Sequence, residues 1–215
     1  MFSKIFPKIH AEGYKFLVIA GIITLVLYSF SDFLGLIGLV LTIWVYYFFR
    51  DPERVIINDA NYLVSPADGE VIKVEEVDGP KELNLENKKF KKISIFMNVF
   101  DCHVNRTPCG GKIDEILYKP GKFLNASFDK ASEDNERNYY KIKDSHNNDV
   151  VVVQIAGLVA RRIVCESIKD QELQQGDRIG MIRFGSRADI YYENYEPLVK
   201  VGQKAISGET LLAKK

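Results

Sequence analysis

From Phe16 to Phe49 the chain carries one charged residue, Asp32, between Lys15 and Arg50. A run this apolar is stable only inside a protein core or in lipid. It divides into "FLVIAGIITLVLYSF" (16–30) and "FLGLIGLVLTIWVYYFF" (33–49), each slightly short of the roughly 20 residues that span a bilayer. The joint "SFSD" holds Ser31 and Asp32, with Gly35 and Gly38 close behind, and predicts a hydrophobic helical hairpin. Lys4, Lys8 and Lys15 flank one end and Arg50 and Arg54 the other, which places both ends in the cytoplasm. Trp44, Tyr46 and Tyr47 suit an interfacial aromatic belt. A secretory signal would carry one apolar stretch and a cleavage site of small residues; this segment has two stretches and ends in "YYFFRDPER". Whether the hairpin spans or only inserts stays open, and a pair of buried core helices is the competing reading.

Pro52 ends the apolar segment, and the pattern then changes to short apolar runs separated by turns. "YLVSPADGEVIKVEEV", "KKISIFMNV" (91–99), "KIDEILYKPG" (112–121), "NYYKIKD" (138–144) and "VVVVQIAGLVARRIV" (150–164) read as strands, and "KFLNASFDKASEDNERN" (122–138) as a mobile loop or lid. The glycine turns of "LVKVGQKAISGETLLAK" are similar to those of lipoyl- and biotinyl-type hybrid folds, but no "MKM"-like attachment lysine occurs. The expected architecture is mostly β: a hybrid-motif-like sandwich or barrel over 53–215, preceded by a membrane anchor over 1–52.

Lysine plus arginine equals aspartate plus glutamate, 29 each, so overall charge gives no argument for nucleic acid. Three cysteines, Cys102, Cys109 and Cys165, without CxxC spacing argue for a reducing compartment and against a disulfide framework. Cys102, His103 and Cys109 lack a fourth ligand at sensible spacing, so no metal site is predicted.

Of three histidines, His10 precedes the apolar segment and His146 lies in the polar turn "DSHNND". His103 follows an apolar strand and precedes a Pro-Cys-Gly-Gly turn, a position suited to proton transfer at a sheet edge, although context alone favours a structural histidine there. Asp68 sits in "SPADGEV", where Asp-Gly is also an ordinary hairpin pair.

"MIRFGSRADIYY" (181–192) places Gly185-Ser186 inside a strand-like run. A serine nucleophile of the elbow type needs Gly-x-Ser-x-Gly between strand and helix, and "RFGSRAD" has no second glycine. Attack of a serine hydroxyl on the preceding carbonyl, by contrast, does use a small, flexible residue before the serine. That N-to-O acyl shift gives an ester; β-elimination then cuts the chain and leaves a dehydroalanine that hydrolyses to an amino-terminal pyruvoyl group.

With "FFRDPER", "SPADGEVIKVEE", "NVFDCHVNRTPCGGKI", "YKPGKFLNA", "QIAGLVARRIVC" and "GDRIGMIRFGSRADIY" in this order, the chain resembles the phosphatidylserine decarboxylases, in their short, membrane-anchored bacterial form. The resemblance implies self-cleavage between Gly185 and Ser186, giving a β chain of residues 1–185 and an α chain of residues 186–215. The pyruvoyl group made from Ser186 would be the cofactor, with neither pyridoxal phosphate nor metal. It would form a Schiff base with the amine of phosphatidylserine and yield phosphatidylethanolamine. The resemblance also implies Ser186 as nucleophile of maturation, His103 as general base and proton donor, and Asp68 as their orienting or charge-stabilising partner.

Two departures stand out. Longer members carry His-x-x-His, where the second position here is Arg106, so either His103 takes over the relay or the serine is activated otherwise. They carry threonine where this chain has Arg187, which joins Arg161 and Arg162 as expected contacts for the substrate phosphate or carboxylate. The implied partners are phosphatidylserine, membrane lipid and the two chains of the proenzyme, at the cytoplasmic face of the inner membrane; homo-oligomerisation is left open. The segment "NASFDKASEDNERN" is expected to cover the site. Competing readings are a membrane-anchored serine hydrolase and a non-catalytic hybrid-type carrier module.

Overall fold

The computed structural model describes residues 6–123, 134–157, 162–183 and 186–215, and divides into two compact units, 1–53 and 54–215. The expected lid falls largely on 124–133, outside the described residues.

The first unit holds β1 (Lys8–Ile9), α1 (Gly13–Phe30), α2 (Asp32–Phe48) and β2 (Arg50–Asp51), with β1 and β2 paired antiparallel. Ser31 is extended and caps α2, its hydroxyl accepting from the Phe33 amide, and Asp32 lies in the first turn, where negative charge is favoured. The helices pack on small residues: a Cβ on Gly35 would strike the Tyr28 ring, and the Thr24 and Thr42 hydroxyls meet at 2.8 Å. Leu25, Phe30, Phe33 and Val40 are among many large side chains left more than half exposed. An exposed apolar surface of this kind is compatible with insertion in lipid. By length and composition α1 can cross a membrane, and α2, at 17 residues, is shorter. α1 begins three residues before the apolar run because Gly13, Tyr14 and Lys15 complete its first turn.

The second unit is mostly β. Its strands are β3 (Tyr62–Val64), β4 (Gly69–Asp78), β5 (Lys89–Met97), β6 (Val104–Arg106), β7 (Gly111–Lys119), β8 (Arg137–Asp144), β9 (Asp149–Ile155), β10 (Ile163–Cys165), β11 (Glu172–Leu173), β12 (Arg178–Ile182), β13 (Ser186–Tyr192), β14 (Glu196–Pro197), β15 (Lys204–Ala205) and β16 (Leu211–Lys214). Eight form a curled half-barrel in the order β11-β7-β8-β9-β13-β5-β4-β15, and two three-stranded sheets, β10-β12-β6 and β14-β16-β3, complete the unit. The run 150–164 is two strands, β9 and β10, belonging to different sheets.

Alternation along each strand sorts side chains to two faces. On one face of the half-barrel, Ile93, Ile95 and Met97 of β5, Val150 and Val152 of β9, and Ala188, Ile190 and Tyr192 of β13 join the main core. On the other, Val151, Val153 and Ile155 of β9 pack with Tyr139, Leu83, Leu85 and Phe90. Burial on both faces explains why β9 reads as an unbroken valine run.

Candidate active site

Ser186 opens β13 and pairs with Met97, the last residue of β5, so it stands at the end of the half-barrel. By alternation it shares the core face with Ala188, and its side chain is fully buried. Its hydroxyl has one hydrogen bond among the described residues, a long one of 3.8 Å to the Met97 sulfur. Sulfur is a weak acceptor, so this hydroxyl is only loosely engaged. Gly185 lies outside the described residues.

Beyond Met97 the chain makes a tight turn, Asn98 accepting from the amides of Phe100 and Asp101 while Asp101 accepts from that of Asn98. It then enters β6 through His103, which is fully buried. The His103 Nδ1 lies 3.0 Å from the Asp101 carbonyl. A carbonyl only accepts, so Nδ1 carries the proton and, in the neutral ring, Nε2 keeps the lone pair a general base needs. The His103 carbonyl accepts from the Ile182 amide at 3.3 Å, tying this segment to the strand that leads toward Ser186.

The Ser65–Asp68 turn docks against the same strand. The Pro66 carbonyl accepts from the Arg106 amide at 2.9 Å, and Ala67 is buried in the core. Asp68 accepts two hydrogen bonds from Arg54 Nη2, at 2.8 and 2.7 Å, and one from the Ser207 amide at 2.8 Å. One contact that orients His103 is thus the Asp101 carbonyl, and the Asp68 carboxylate accepts from Arg54 and from the Ser207 amide. Gly69 follows with φ 149, in the region that favours glycine, and a Cβ there would strike the Phe96 carbonyl. That close approach lays the turn beside the end of β5, next to Ser186's pairing partner.

The arginines separate. Arg106, standing where longer relatives have a second histidine, is buried and donates through Nη1 to the Gly176 carbonyl at 2.8 Å. Arg187 lies on the face opposite Ser186, fully buried: Nε and Nη2 donate to Asp189 at 2.5 and 2.8 Å, and Nη2 also to Ser94 at 2.9 Å. Arg162 is exposed, and its carbonyl accepts from the Arg183 amide, beside the segment approaching the Gly-Ser bond. Arg161 lies outside the described residues. His146 is exposed in its turn, where its amide donates to Asp144.

Reading the sequence missed the polar residues around Ser186. Asn105, Gln154 and Tyr140 are all fully buried on the core side. A signal existed for one: Gln154 is the lone polar residue interrupting "VVVVQIAG". Arg54, the partner of Asp68, had been counted only as a flanking charge of the hairpin.

Comparison with known proteins shows the family. Residues 41–213 match the family model described as phosphatidylserine decarboxylase. The chain is 80% identical to the phosphatidylserine decarboxylase proenzyme of Pelagibacter ubique (strain HTCC1062) over 215 residues, all of both chains. It is 51% identical to the proenzyme so named in Cereibacter sphaeroides (strain ATCC 17025 / ATH 2.4.3) over 99% of this chain and 92% of that one. Against the one in Ruegeria pomeroyi (strain ATCC 700808 / DSM 15171 / DSS-3), identity is 53% over 95% of this chain and 94% of the relative. An apolar hairpin, a half-barrel β unit and a buried serine opening a central strand are therefore the parts of an enzyme, and the chain belongs to the phosphatidylserine decarboxylase family, a family of carboxy-lyases.

Proposed function

We propose that the chain is a proenzyme that cuts itself between Gly185 and Ser186 and then decarboxylates phosphatidylserine to phosphatidylethanolamine at a membrane surface. The observation that carries this reading is the place of Ser186. It is the first residue of a strand paired on both sides, with β5 and β9, and the residues after it also supply β14, β15 and β16 to the sheets. Cleavage before Ser186 would leave the fragment 186–215 clamped in the fold, with its new amino terminus at the sheet end, beside the His103 segment.

In maturation, the Ser186 hydroxyl attacks the Gly185 carbonyl while His103 Nε2 takes its proton, and the peptide bond becomes an ester. Loss of the Ser186 α-proton expels the Gly185 carboxylate and cuts the chain. Water then enters and ammonia leaves, so that residue 186 becomes a pyruvoyl group. The site fits such a group: the serine is shielded from water and, among the described residues, its hydroxyl is held by a soft sulfur, so its replacement strands no strong hydrogen bond there. Bound in place, a pyruvoyl group supplies a carbonyl for the substrate amine and an electron sink for the pair released with carbon dioxide. His103 then donates the proton that replaces carbon dioxide. Asp68, braced by Arg54, holds its turn against β6. Arg162, exposed beside the Arg183 segment, is the phosphate contact among the described arginines, whereas Arg187 serves to hold β13.

The hairpin keeps this unit at the cytoplasmic face, where a diacyl substrate resides and where anchoring raises its effective concentration. Denaturing electrophoresis of wild type and Ser186→Ala tests the reading: wild type is expected as two fragments with decarboxylase activity, and Ser186→Ala as one inactive chain. A single full-length wild-type band with activity overturns it.

A further inference from the structure

The segment carrying His103 and the sheet carrying Ser186 are joined by a buried amide pair. Gln154 Nε2 donates to Asn105 Oδ1 at 2.9 Å. Asn105 lies on β6, two residues after His103, while Gln154 lies on β9 directly opposite Ala188 of β13, two residues after Ser186. The same Asn105 side chain contacts Met97 Sδ at 3.7 Å, the atom that accepts the Ser186 hydroxyl, and approaches the Pro66 carbonyl of the Asp68 turn at 3.4 Å. Gln154 is fixed from behind: Asn138 Nδ2 reaches its Oε1 at 3.4 Å, and the Tyr140 hydroxyl lies 3.0 Å from that oxygen and 2.7 Å from the Ile179 carbonyl. All four side chains are at most 1% exposed.

A buried amide pair is a costly way to fill a core unless its direction matters, since either partner left alone strands a polar group. Here each end of the pair sits two residues from one of the two groups whose spacing decides proton transfer. We infer that Asn105 and Gln154 are positioning residues of self-cleavage, their hydrogen bond setting the distance between His103 and the Ser186 hydroxyl. This rests on the proposed maturation at Ser186.

The test follows conversion of newly translated full-length chain to fragments, by pulse labelling in cell-free synthesis, for wild type, Asn105→Ala, Gln154→Met, the double variant and Val152→Ala. Val152 is buried in the same core and supplies a control that is destabilised while both amide side chains stay in place. Expected are tenfold or greater slowing in both single variants, no further slowing in the double, and near wild-type cleavage in Val152→Ala. Wild-type rate should rise through the histidine range, about pH 6 to 7, and Asn105→Ala should lose that rise. Cleavage of Asn105→Ala at the Val152→Ala rate, multiplied losses in the double variant, or an intact pH step overturns the inference. If Asn105→Ala does not accumulate folded, Gln154→Met, close to isosteric, is judged by the same pH and rate criteria. Wild type that never cleaves at 185/186 refutes instead the proposed function.

Discussion

The two faces of β13 treat their polar residues in opposite ways. Arg187 and Asp189 point to one side, where Nε and Nη2 of the guanidinium donate to the carboxylate and Nη2 also reaches Ser94. Ser186 points to the other side, and among the described residues its hydroxyl reaches only a sulfur at 3.8 Å. A buried hydroxyl so loosely held, one residue from a guanidinium paired with a carboxylate, is what the proposed division of labour calls for, the first for chemistry and the second for structure. The contrast separates what substitutions on each face should cost.

The largest effect belongs on the Ser186 side. His103→Ala is expected to slow self-cleavage by about 10²- to 10⁴-fold, the usual worth of a positioned proton-transfer group, with thermal unfolding of the β unit changed far less; equal loss of stability and cleavage would erase the contrast. On the other face, Arg187→Ala strands Asp189 and should destabilise by about 3–5 kcal/mol, read by denaturant unfolding. Arg187→Met with Asp189→Leu removes both charges and should recover much of that loss. If Arg187→Ala instead left stability intact and raised KM for phosphatidylserine, Arg187 would be a substrate residue after all.

A smaller effect comes with acid. Burial opposes ionisation of Asp144, yet hydrogen bonds from Asn148, the Tyr195 hydroxyl and the His146 amide hold its pKa below the ordinary aspartate value. A carboxylate depressed in the folded state adds stability that is full above its unfolded pKa, near 4, and vanishes as pH falls through the folded value. Unfolding midpoints measured from pH 6 downward should therefore decline below about pH 4, and Asp144→Asn should flatten that decline. The least effect on the β unit is expected from Gly35→Leu, which splays the hairpin; its cleavage should stay at the wild-type rate while sedimentation with vesicles weakens.

Much of this was legible beforehand because it rests on local chemistry. The near absence of charge between Lys15 and Arg50 fixes an apolar hairpin, and Gly185-Ser186 in a strand pattern marks an unusual bond. The rest depends on pairing between distant segments. Nothing in "SPADG" says that Arg54 will take the Asp68 carboxylate, because the bond depends on how a turn at 65–68 folds back on the chain. Nor does "GSRAD" disclose that Arg187 and Asp189, two apart, will close on each other. The break between β9 and β10 was hidden because "VVVVQIAGLVARRIV" is apolar throughout much of its length, while the change of sheet is tertiary.

The most direct measurement is the mass of the small fragment released by denaturing the purified wild-type protein. The expected fragment is a chain of residues 186–215 whose first residue has the mass of a pyruvoyl group, blocked to Edman degradation and reactive with hydrazines, and absent from Ser186→Ala. An active protein that stays full length, or a fragment beginning with an intact serine, would contradict it.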